Sequence, residues 1–136
     1  MVDPVVMDKL DTLQRCVERI REKTPDNALS LVADIDAQDI ISVNLERAVQ
    51  ACVDIAARLL AARNRPSPET MAAAFDELHV LGVLPKSLAE NMKKAVGFRN
   101  IAVHAYKKIE WNLVYSLITT RLDDFRLFAQ QILHVQ

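Results

Sequence analysis

Ile41, Leu45, Ala48, Cys52, Ile55 and Leu59 recur at steps of four, three, four, three and four residues. At 3.6 residues per turn this spacing keeps all six on one side of a helix, whereas a strand would scatter them over both faces. The small residues in the middle of this seam allow a second helix to approach closely. Asp34, Asp36 and Asp39 stand where the positive end of such a helix would be, and Arg58, Arg63 and Arg65 where its negative end would be. Asn64 and Pro66 stop it. The seam is intramolecular core in the simpler reading and a homodimer seam in the alternative.

The same period runs through the rest of the chain. Val6, Leu10, Leu13, Val17 and Ile20 predict a helix from about Pro4 to Lys23, with the proline at the helix start and Pro25 beyond its end. Ser67-Pro68-Glu69 opens a short helix through Leu78, and Gly82 terminates that region. A fourth helix begins near Pro85 with Leu88, Met92, Ala95, Phe98 and Ala102 as its inward stripe. A last one, from about Glu110 to Leu133, buries Val114, Ile118, Leu122, Phe125, Ala129 and Ile132. Two glycines and five prolines in 136 residues, without sustained alternation, leave little room for a sheet. The expected fold is all-α, an up-and-down bundle of four longer helices plus one short helix, in a single domain over residues 1–136.

With 51% hydrophobic and 26% charged residues the composition is that of an ordinary globular domain, not of a disordered chain. No apolar run reaches the roughly 18 to 20 residues of a membrane helix, and Met1-Val2-Asp3-Pro4 lacks a basic segment followed by an apolar signal core. A cytoplasmic location without membrane attachment is expected. Cys16 and Cys52 sit singly on apolar stripes and read as small core residues, with neither a disulfide nor a metal site expected. No cofactor is expected either.

The net charge of −1 argues against whole-surface attraction to nucleic acid. Its distribution differs. Lys86, Lys93, Lys94, Arg99, Lys107 and Lys108 face Glu90 alone between Lys86 and Ile109, a local net of +5 that leaves −6 for the remainder. Within this basic stretch lies Phe98-Arg99-Asn100-Ile101-Ala102-Val103-His104-Ala105-Tyr106. An arginine is always charged and presents a planar fork to phosphate oxygens, while histidine, with an ordinary pKa near about 6.5, exchanges protons near neutrality. Arg99 can hold a phosphate and His104 can move a proton. With Asn after the arginine and Tyr two residues after the histidine, the pattern has a chance expectation on the order of one in several thousand. On one continuous helix Asn100 and His104 share a face, but Arg99 and His104 lie about 140° apart. They converge only through the long arginine side chain, a helix end near His104, or a second subunit.

This segment resembles the Arg-x4-His-x-Tyr signature of the HEPN superfamily, and more closely its HepT branch, the toxin half of HepT/MntA toxin–antitoxin pairs. The likeness extends to Asn44-Leu45-Glu46-Arg47, to Ala51-Cys52-Val53-Asp54-Ile55-Ala56 and to Leu88-Ala89-Glu90-Asn91-Met92-Lys93-Lys94, and so covers essentially the full chain. The resemblance implies a homodimeric helical bundle acting as a metal-independent endoribonuclease. Arg99 would bind and stabilise the scissile phosphate, His104 would act as general acid or base while the RNA 2′-hydroxyl attacks, and Asn100 would aid positioning. Tyr106 resembles the site at which an MntA-like nucleotidyltransferase antitoxin adds AMP from ATP and silences the toxin. The implied partners are RNA, that antitoxin and a second copy of the chain, in a dimer or a larger hetero-oligomer. Lys93, Lys94, Lys107 and Lys108 are the candidate RNA-binding cations.

Two other classes stay open on the residues alone. One is a non-catalytic module that binds a nucleotide or positions a substrate for a separate nucleotidyltransferase. The other is a purely structural bundle, in which Arg99 caps a helix, His104 makes a structural hydrogen bond and the lysines are a solvated face. His79 and His134 read as structural or surface residues, and Trp111 and Phe125 as core anchors rather than base-stacking platforms.

Overall fold

A computed structural model describes residues 2–136. Among them the structure is helical throughout, without strands: α1 (Pro4–Lys23), α2 (Ala28–Ala33), α3 (Ile35–Ala62), α4 (Met71–Val80), α5 (Lys86–His104), α6 (Trp111–Thr120) and α7 (Asp123–His134), with one 3-10 turn at Tyr106–Lys108. The all-α bundle expected from periodicity is what forms. Its helices are more divided than the spacing suggests, and the two differences have identifiable causes.

The first is α2. Asn27 caps it by accepting from the Ser30 N–H at 2.9 Å, and its terminal carbonyls are met by the buried Gln38 amide, which donates to Leu31 at 2.9 Å and Val32 at 3.0 Å. The second is the division of the last helix. Thr119 and Thr120 turn their hydroxyls back onto the carbonyls of Tyr115 and Ser116, at 2.8 and 2.6 Å, and the backbone leaves helical geometry at Arg121. Back-bonding from adjacent β-branched residues is a known source of helix bending, and Asp123 and Asp124 then suit the positive end of a new helix.

Helix α3, 28 residues long, is the spine. It packs most extensively along α1, and the order of contacts shows the pair to be antiparallel: Asp3 meets Arg58 at 2.6 Å and Lys9 meets Asp54 at 3.1 Å. All six seam residues of α3 are buried, so the seam is core within the chain. Asp34 caps the helix by accepting from the Ala37 N–H at 3.0 Å. At its far end Asn64 adopts φ 59° and the Arg65 N–H reaches back to the Leu60 carbonyl at 3.0 Å. Gly82, with φ 77°, performs the same service after α4, where the Val83 N–H bonds Leu78 at 2.9 Å. Helices α4, α5 and α7 close over the remaining side of the core, with Phe75 and Phe128 meeting edge to face at 5.9 Å between ring centres. Cys16 and Cys52 are buried free thiols in it.

Candidate functional site

Helix α5 carries the motif because its inward stripe, Leu88, Met92 and Ala102, is fixed against the core while Ala95 and Phe98 lie half-buried. That register leaves Arg99 half-buried and Asn100 and His104 exposed. His104 is the last residue of the helix. Ala105 breaks it with φ −146° and ψ 49°, and the 3-10 turn Tyr106–Lys108 follows at once. Helix α5 thus runs unbroken from Arg99 through His104, so the offset of about 140° between the two holds within one chain, and only the long arginine side chain or a second subunit can bring them to one phosphate. The Arg99 guanidinium has only a long contact to Asn100 Oδ1 at 3.4 Å and forms no ion pair among the described residues, so its fork is available to an anion.

Tyr106 is held more firmly. Its hydroxyl donates to Asp39 Oδ1 at 2.5 Å, across 67 residues of sequence, and its ring meets Trp111 edge to face at 6.0 Å between centres. Although Tyr106 is an exposed residue, partial desolvation of its phenol, the hydrogen bond to Asp39 and the negative charges of Asp39 and Glu46 raise it far above its ordinary range. Asp39 reads in the sequence only as an acid suited to a helix start. No local pattern signals its bond to Tyr106, because the bond depends on how the beginning of α3 meets the end of α5.

The lysines divide. Lys93 is paired with Asp76 at 3.2 Å and Glu90 at 3.6 Å, whereas Lys94, Lys107 and Lys108 form no ion pair among the described residues. Trp111 is half-buried and Phe125 buried, as anchors. His79 donates its Nδ1–H to the Leu84 carbonyl, 2.9 Å away, a structural bond. A cavity of about 170 Å³ between α3, α5, α6 and α7 has an apolar floor, and a larger one of about 480 Å³ lies between α1 and α7. Neither is lined by Arg99, His104 or Tyr106, so the motif forms an open surface site.

Residues 13–132 match the family model described as "Ribonuclease HepT-like". The chain belongs to the ribonuclease HepT-like family. It is 30% identical over 131 residues to the mRNA nuclease HepT of Shewanella oneidensis, covering 96% of this chain and 98% of that protein. It is also 26% identical over 132 residues to the tRNA nuclease HepT of Aphanizomenon flos-aquae, covering 96% of this chain and 90% of that one. Among solved structures, the tri-AMPylated Shewanella oneidensis HEPN toxin in complex with MNT antitoxin superposes with a TM-score of 0.91 at 29% identity, over 99% of this chain and 100% of that one. A toxin–antitoxin complex with AMP-PNP gives 0.90 at 29% identity, over 96% and 99% of the two chains. The HepT-like assignment made on Arg99 to Tyr106 is thus the family's, and ribonuclease is the enzyme class it carries.

Proposed function

We propose that this chain is the nuclease toxin of a HEPN/MNT pair, cutting RNA without a metal ion through Arg99 and His104, and that a cognate nucleotidyltransferase antitoxin silences it by adding AMP to Tyr106. The observation that carries the reading is that α5 bears both an uncommitted guanidinium and, at its last residue, an exposed imidazole, in a family of ribonucleases.

The chemistry follows from what each group can do. Arg99 would hold the two non-bridging oxygens of the scissile phosphate and stabilise the charge that grows on them as the neighbouring 2′-hydroxyl attacks. His104 would take the proton of that hydroxyl or supply one to the departing 5′-oxygen, leaving a cyclic phosphate. Asn100, on the same helix face as His104, would orient the backbone. Because the nucleophile is the RNA's own hydroxyl, the reaction does not need a metal-activated water. Lys94, Lys107 and Lys108 would guide the strand, with Lys93 contributing less because Asp76 and Glu90 already neutralise it. A second copy of the chain would complete the open site by bringing two motifs to one cleft.

AMP on Tyr106 would place a phosphodiester anion two residues from His104, where it would repel RNA phosphate and fill the approach. The relatives' names support both arms, one group being nucleases and the other a toxin that is AMPylated in the grip of an antitoxin. The test is cleavage of transfer and messenger RNA by the unmodified protein before and after incubation with ATP and the cognate antitoxin. Loss of cleavage together with AMP on Tyr106 is expected. Unchanged cleavage by the fully modified protein would contradict the silencing arm.

A further inference from the structure

The bond between Tyr106 and Asp39 joins the first turns of α3 to the segment that ends α5. On the α5 side, the turn Tyr106–Lys108 is otherwise held by the Trp111 ring edge and by local backbone bonds, Ala105 N–H to Ile101 at 2.8 Å and Lys108 N–H to Ala105 at 2.8 Å. On the α3 side, Asp39 forms no ion pair among the described residues, so the phenol is its particular partner. His104 lies two residues before Tyr106, at the junction this bond fixes. We propose that Asp39 is a positioning residue that holds the Tyr106 phenol and the turn behind His104 in place, and that nucleotidyl transfer to Tyr106 necessarily breaks this hold.

The second half rests on the proposed silencing by AMP, and its logic is stoichiometric. In the transfer a lone pair of the phenolic oxygen forms the bond to the α-phosphorus of a nucleoside triphosphate, the bond to pyrophosphate breaks, and the phenolic proton is lost to solvent. The product oxygen has no proton left to donate to Asp39. It also carries a phosphodiester anion, which the carboxylates of Asp39 and Glu46 repel at close range. A modified Tyr106 therefore leaves α3, and the turn that follows His104 loses its long-range anchor. Silencing then has a conformational component in addition to blocking the cleft.

A double-mutant cycle on the intact chain decides the hold independently of any activity. Asp39→Ala and Tyr106→Phe each shift the unfolding equilibrium, and the double variant shifts it little further, with a coupling on the order of tenfold or more as expected for a hydrogen bond to a charged group. Strict additivity overturns the proposal. RNA cleavage supplies the positioning readout: Asp39→Ala lowers kcat several-fold, and Asp39→Asn, whose amide oxygen still accepts from the phenol, recovers most of it. An Asp39→Ala protein as fast as wild type overturns the positioning role. If wild type itself cuts no RNA, the nuclease reading fails while the cycle still rules on the hold. For release, amide exchange across residues 105–110 rises in protein carrying AMP on Tyr106 relative to bare protein, and equal protection in the two overturns it.

Discussion

Tyr106 and its neighbours show how far single residues govern this site. The folded protein raises the Tyr106 phenol above its unfolded value through partial desolvation and the carboxylates of Asp39 and Glu46. A group raised in this way contributes stability that is complete below the unfolded pKa, about 10 for tyrosine, and that declines as the pH rises beyond it. Denaturant unfolding followed from neutral to strongly alkaline pH should show this decline in wild type and a shallower one in Tyr106→Phe. Arg99 has the opposite character, a fixed charge whose value lies in its fork. Arg99→Lys keeps the charge and loses bidentate geometry, so kcat for RNA cleavage should fall on the order of a hundredfold with the fold intact. An Arg99→Lys enzyme with wild-type kcat would show that a point charge suffices.

At the scale of elements, caps and breaks decide where the functional side chains are presented. Asp34 satisfies the Ala37 N–H at the start of α3 and thereby fixes the register that carries Asp39. Asp34→Ala should cost about 1 kcal/mol, and Asp34→Asn much less, in chemical denaturation. Such local signals are why α1, α3 and the start of α5 are legible in the sequence: Pro4, Asn64, Pro66, Gly82 and Pro85 punctuate an unbroken helical period. The six-residue α2 is not legible, because only Leu31 of its apolar residues is buried while Leu29 is 80% exposed. The break between α6 and α7 escapes periodicity too, since Ile118, Leu122 and Phe125 remain buried on both sides of it. Arg99, Asn100, His104 and Tyr106 can be proposed from the sequence because they lie on one short segment, whereas the partner of Tyr106 is 67 residues away and visible only once the chain is folded.

For the molecule as a whole, one core supports an open site on its surface. Phe128 is fully buried and meets the equally buried Phe75, joining α7 to α4 beneath the helix that carries the motif. Phe128→Ala should destabilise the protein by about 3 to 5 kcal/mol, measured by denaturant unfolding, and lower activity through loss of folded protein rather than through the chemistry. On the proposed reading, the basic surroundings of the motif against an acidic remainder would make RNA binding local and salt-dependent. The work proposed for His104 is acid–base chemistry on RNA without a metal. It is tested most directly by incubating end-labelled transfer and messenger RNA in EDTA with wild type and with His104→Ala of verified fold, Tyr106 having been shown bare by mass spectrometry. Cleavage by wild type alone, leaving cyclic phosphate ends, is the predicted result. Equal cleavage by both proteins, or none by either, would contradict it.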